Sequence, residues 1–252
     1  MRALAVGRSV LVSTLAGWRG SVAFRPARQQ PAEMLELYDI EACPYCRLVR
    51  ETLTRLDLDV LIRPCPKGGE RFRPQARELG GKALFPLLVD PNTGRKLYES
   101  ADIVEYLAQT YEGRVGSARG LNRALKVASS TLASAAQLGR GLMVRPSRAA
   151  AQPLELYSFE TSPYSRLVRE RLCELELPYR LRSTGKGAPR DIGPPTVRDR
   201  WFKSEKATSR NRAALLARAG HVQVPYLIDP NTGTEMFESA NILAYLDATY
   251  AV

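Results

Sequence analysis

Several scarcities limit what this chain of 252 residues can be. Its single histidine, His221, has no cysteine or histidine near it in sequence, so no metal site is expected. Its four cysteines include two in a CxxC, which is not the disulfide framework of a secreted domain and fits a reducing compartment. No stretch approaches the run of about 18 uninterrupted apolar residues that a spanning helix needs. The best one, Ala3 to Trp18, is broken by Arg8, so the chain is not read as transmembrane. Acidic residues are absent before Glu33 and again between Glu112 and Glu155.

What is present is basic. A formal charge of +11 draws the protein towards acidic surfaces. No aromatic-interleaved basic stripe accompanies it, so a solvated arginine-rich surface is the reading and nucleic acid is not the expected partner.

The dominant pattern is a duplication. "LELYDIEACPYCRLVRETLTRLDL" from Leu35 returns as "LELYSFETSPYSRLVRERLCELEL" from Leu154, and "FPLLVDPNTGRKLYESADIVEYLAQTY" returns as "VPYLIDPNTGTEMFESANILAYLDATY" ending at Tyr250. The repeat reaches backwards: "RALAVGRSV" from Arg2 resembles "RALKVASST" from Arg123. Taken alone, the first thirty residues have the composition of an organelle transit peptide. The internal copy has the same composition where no import signal could act, so both are read as helical lead-ins. Each carries an apolar stripe, Leu4, Leu11, Leu15 and Trp18 in one and Leu121, Leu125, Ala128, Leu132 and Ala135 in the other. The stripes are expected to pack on each other and tie the halves together; a membrane-surface role is the alternative.

The boundaries follow: a lead-in over 1–32, a first unit over 33–112, a second lead-in over 113–151, and a second unit over 152–252 with an insertion at about 186–212. Within each unit the order is strand, helix, strand, loop, hairpin and helix. "MLELYDI" is an alternating strand, and Leu48, Val49, Leu53 and Leu56 mark an amphipathic helix opening after Pro44. Asp90 to Gly94 reads as a hairpin turn, and Ser100 as the cap of the last helix.

CPYC at the start of the first helix, with a proline at the head of the third strand, resembles the thioredoxin fold of the glutaredoxin and glutathione-transferase N-terminal type. The expected fold class is therefore α/β, two tandem thioredoxin-like domains, each preceded by a helical lead-in. The tandem is similar to plant and algal plastid proteins, which implies a plastid location, with the mitochondrion as alternative. The all-helical second domain of full glutathione transferases is missing.

A cysteine at a helix N-terminus gains thiolate character from unpaired backbone N–H groups and the helix dipole. Cys43 has that position, Tyr45 follows within the motif, and Cys46 stands a turn later, able to resolve a mixed disulfide. Cys65, at the end of the next parallel strand, is a third thiol or a packing residue. The second unit replaces these three with Ser162, Ser165 and Thr184. By the resemblance, Phe85 and a cis Pro86, with Glu99 and Ser100, form a glutathione site, and Val224, Pro225, Glu238 and Ser239 are its degenerate second copy. Ser162 either holds a glutathione thiolate or is kept for packing.

Two functions remain open at this point. One is a glutathione-linked thiol-disulfide oxidoreductase, with glutathione as cosubstrate, a redox-active first unit and a redox-dead second. The other is a non-catalytic scaffold subunit of a larger plastid assembly. Glutathione, protein thiols and a protein docking on the insertion around Trp201 and Phe202 are the expected partners. Cluster binding between chains through Cys43 ranks below both functions.

Overall fold

The computed structural model describes residues 2–114, 120–192 and 207–252. Trp201 and Phe202 lie outside the described residues. The first unit contains β1 (Leu35–Asp39), α2 (Pro44–Arg55), β2 (Val60–Pro64), α3 (Arg73–Gly80), β3 (Leu87–Asp90), β4 (Arg95–Leu97) and α4 (Ser100–Leu107), which runs on into a π turn over Ala108–Glu112. The second repeats it with β5 (Leu154–Ser158), α6 (Pro163–Glu174), β6 (Tyr179–Ser183), α7 (Arg210–Ala219), β7 (Tyr226–Asp229), β8 (Thr234–Phe237) and α8 (Ser239–Tyr250). The lead-ins supply α1 (Arg2–Leu15) and α5 (Leu121–Ala135).

The eight strands of the described residues form one sheet, in the order β4-β3-β1-β2-β6-β5-β7-β8. Within each unit the two strands flanking the CPYC or SPYS helix are parallel, as a helical crossover requires, and the hairpin strands run antiparallel to them. The units join edge to edge. β2 and β6 both alternate buried and half-buried residues, and they pair antiparallel with Val60 opposite Leu181, Leu61 opposite Arg180 and Ile62 opposite Tyr179. Leu61 and Arg180 are equivalent positions of the repeat, so a pseudo-two-fold axis passes through that pair. The pairing leaves neither inner strand as an open edge, and one apolar core runs through both units.

Each DPNTG turn anchors its last helix. Asp90 accepts hydrogen bonds from Tyr106 (2.6 Å) and Tyr111, and Asp229 accepts from Tyr245 (2.7 Å) and Tyr250 (2.6 Å).

The lead-in helices pack on each other, as expected, and they also cross over: α1 packs on α6 and α5 on α2. The exchange is reciprocal in detail. Ser9 Oγ donates to the Pro163 carbonyl at 2.7 Å, and its repeat equivalent Ser130 Oγ donates to the Pro44 carbonyl at 2.8 Å. Past the helices, Val22 bridges to Lys186 and Met143 to Lys67.

The expected leucine stripes are not the packing faces. α1 and α5 meet through Val12, Ala16 and Ala133, with Leu15 and Ala136 alongside, while Leu4, Leu11, Leu121, Leu125 and Leu132 are 52–79% exposed. Small residues let the two helices approach, and the inward positions are taken by Ser9, Ser13, Ser130 and Gln137, which serve buried polar partners.

Candidate functional site

Cys43 ends the β1–α2 turn as the N-cap residue of α2, with Pro44 in the first turn where its missing N–H has no role to lose. Its side chain is half-buried, Tyr45 is exposed and Cys46 is fully buried. Cys43 ionises at about 7, below its ordinary value. A hydrogen bond from the Cys46 thiol is the largest cause; burial opposes it, and the backbone N–H groups of Cys46 and Tyr45 and the charge of Arg50 assist. Burial pushes the Cys46 thiol well up. One sulfur is therefore a ready nucleophile and the other a proton-bearing donor beside it.

Cys65 packs in the same apolar cluster as Cys43, Phe72, Phe85 and Leu142. It is fully buried, and burial pushes its thiol far up. Cys173, on α6, is sealed too, donating to the Gly141 carbonyl at 3.4 Å. All four cysteines are free thiols.

The Phe85–Pro86 and Val224–Pro225 peptide bonds are cis. Arg73 lies over the Phe85 ring at 5.0 Å. Glu99, not Ser100, is the N-cap residue of α4, and it has φ 63°, a conformation a residue with a Cβ rarely adopts. Glu238 repeats it at φ 69°. Ser100 Oγ is buried with no hydrogen-bond partner at the first turn of α4. Buried hydroxyls are normally satisfied, so this one fits a ligand carboxylate at the helix N-terminus.

The second unit keeps the cis proline and the positive-φ glutamate but differs elsewhere. Ser162 Oγ caps its own helix, accepting from the Ser165 N–H at 3.3 Å, and Ser162 is buried. Gln223 hydrogen-bonds Glu238, whereas its repeat equivalent is Leu84, whose side chain can make no such bond to Glu99.

Sequence reasoning missed the charged network beneath the site. Leu48 and Val49 mark the apolar face of the first RLVRE segment, yet Arg47, Arg50, Arg166 and Arg169 are among the most deeply buried side chains. Arg50 reaches across the axis to Glu160 (2.9 Å) and stays within its own unit at the Glu41 carbonyl (2.9 Å) and Asp39. Arg169 mirrors it, with Glu41 at 3.1 Å, the Glu160 carbonyl at 2.8 Å and Ser158 at 2.9 Å. Asp39 thus corresponds to Ser158, a fourth position that changes with the three thiols. Burial, partly offset by Arg50, raises Asp39 to about 6. The repeated glutamates Glu41 and Glu160, each two residues before its motif, were the available signal.

Among the described residues no group of histidine, cysteine or acidic side chains could hold a metal.

A thiol helix facing a cis-proline strand, with a capped last helix, defines a thioredoxin-like unit, and the comparisons place it. The profile of the glutathione S-transferase N-terminal domain matches residues 37–115 and 156–252, and the chain belongs to that family. Among solved structures, a Bombyx mori glutathione transferase is similar at 28% identity and a TM-score of 0.31, over 34% of this chain and 39% of that one. The chain thus spans about two fifths of that relative. A trimeric glutathione transferase of Leishmania shows 14% identity and a TM-score of 0.29, over 88% of this chain and 68% of that one. No curated protein matches.

Proposed function

We propose that the protein is a glutathione-linked thiol-disulfide oxidoreductase whose first unit carries the chemistry and whose second has lost it. The observation that carries this reading is the pairing of a half-buried Cys43, ionising at about 7, with a buried Cys46 that donates to it. The thiolate is the reacting species, and a value near neutral pH keeps it both populated and nucleophilic.

In the proposed cycle, the Cys43 thiolate attacks the glutathione sulfur of a mixed disulfide. The S–S bond breaks, the released thiolate takes a proton, and glutathione stays on Cys43. A second glutathione thiolate then attacks that sulfur, giving glutathione disulfide and restoring Cys43. Alternatively Cys46, once deprotonated, attacks Cys43, expels glutathione thiolate and leaves a Cys43–Cys46 disulfide. Phe85 and Pro86 would line the glutathione site, with Ser100 and the start of α4 taking the γ-glutamyl carboxylate and Glu99 its ammonium. Family membership and the unpartnered Ser100 hydroxyl support this placement.

The test is turnover of a glutathionylated substrate with reduced glutathione. Wild type is expected to turn over, Cys43→Ser to fall to background, and a Ser162→Cys change in that variant to restore nothing. Absence of turnover in the wild type, or full activity in Cys43→Ser, contradicts the proposal and leaves a binding role.

A further inference from the structure

Helices α1 and α5 are inverted relative to ordinary surface helices. Several of their polar residues point inwards: Ser9 and Ser13 accept from the buried Arg166 at 3.0 and 2.9 Å and Ser130 donates to the Pro44 carbonyl, while Gln137, just past α5, accepts from the buried Arg47 at 2.7 Å. Their leucines point out. Leu4 and Leu11 of α1 are the repeat equivalents of Leu125 and Leu132 of α5, and all four are exposed, as is Leu121. The pseudo-two-fold axis relates the two helices across their contact, so both sets lie on one outer surface. Five exposed leucines on the two helices of one layer make this face a candidate interaction site.

Charge decides what covers it. No acidic residue occurs in 1–32 or between Glu112 and Glu155, the stretches that contain both helices. Lys126 and Arg140 are exposed at this layer, and Arg123 is half-exposed. A second copy would set cationic faces against each other, in a chain already at +11. Leucines flanked by cations, with no anion among them, match an anionic lipid surface: the side chains enter the acyl boundary while the cations meet headgroup phosphates. Neither helix is long and apolar enough to cross a membrane, so the contact would lie in the interface plane.

We propose that the α1–α5 layer docks the protein on an anionic bilayer through Leu4, Leu11, Leu121, Leu125 and Leu132. This stands independently of the thiol chemistry. It is tested by co-sedimenting the full chain with vesicles of phosphatidylglycerol and phosphatidylcholine, against pure phosphatidylcholine. The wild type should bind the anionic vesicles, and the variant carrying Leu4→Ser, Leu11→Ser, Leu125→Ser and Leu132→Ser should bind them about ten-fold or more weakly. The double variant Leu125→Ser with Leu132→Ser, confined to one helix, should fall between the two, which keeps the test valid if the four-fold variant folds poorly. Absence of vesicle binding overturns the proposal. So does binding that the leucine changes leave intact, since overall charge would then account for it. Leucine-dependent self-association without lipid binding also overturns it, by assigning the face to a protein contact.

Discussion

Single residues separate the two copies. Cys43, Cys46, Cys65 and Asp39 stand where the second unit has Ser162, Ser165, Thr184 and Ser158, and Leu84 stands where it has Gln223. The changes at Cys43 and Cys46 could be read directly from the sequence, because the PY between them and the RLVRE after them are shared by both copies. Asp39 could not, since an acid at a strand end looks like a solvated charge until Arg50 is found buried against it. Glu99 was legible as part of the ESA segment but not as a residue at positive φ. Such a conformation costs on the order of 1–3 kcal/mol and persists where function requires it. Glu99→Gly should therefore raise the unfolding free energy by about 1 kcal/mol while raising the KM for glutathione. Urea unfolding and steady-state kinetics check the two together, and a lower stability with unchanged KM would remove both the strain and the binding role.

Elements are assembled across the axis. The sequence showed that the lead-ins are duplicated, and the strand, helix and hairpin order followed from period and turn residues. The crossing did not, because nothing in a repeat says which copy it packs on, and an outward leucine stripe has the same period as an inward one. Gly20 and Gly141, equivalent positions with φ 77° and 70°, are where each lead-in passes the other unit. A Cβ on Gly141 would meet Glu41 Cβ at 3.0 Å and the Glu170 backbone at 3.3 Å; on Gly20 it would meet Glu160 Cβ at 2.8 Å. Gly141 also accepts from the Ala42 N–H at 3.3 Å, next to Cys43. Gly141→Ala is expected to cost about 1–3 kcal/mol of stability and to slow Cys43 alkylation, whereas Gly94→Ala, at a positive-φ hairpin position with open space, should lower stability alone. Equal alkylation rates in the two variants would show that the crossing does not shape the thiol site.

At the scale of the whole molecule, the second unit contributes charge to the first. Glu160 pairs with Arg50, and Arg50 helps to hold the Cys43 thiolate. Burial works against the Glu160 charge, yet Arg169, Arg50 and Arg47 outweigh it and hold the carboxyl at about 2. A depressed carboxyl stabilises the fold above its unfolded value and stops doing so as pH falls through the folded one. Stability due to Glu160 should thus be complete above about 4.5 and lost between there and about 2. Asp39 acts in the opposite sense: raised to about 6, it favours the folded state at lower pH and ceases to as pH rises through 6. Glu160→Gln should flatten the acid limb of a urea-stability profile and cost about 3–5 kcal/mol near neutral pH, because it leaves buried arginines short of a counter-charge. An unchanged profile would mean that the network is not an energetic link between the units. The proposed chemistry rests on Cys43 being a thiolate near neutral pH while its neighbours are not. The rate of iodoacetamide alkylation at each cysteine, followed by peptide mass spectrometry across pH, tests it most directly. Cys43 should react with a midpoint near 7 while Cys46, Cys65 and Cys173 stay protected in the folded protein. A Cys43 midpoint at the ordinary thiol value near 9, or alkylation of Cys65 as fast as Cys43, would contradict it.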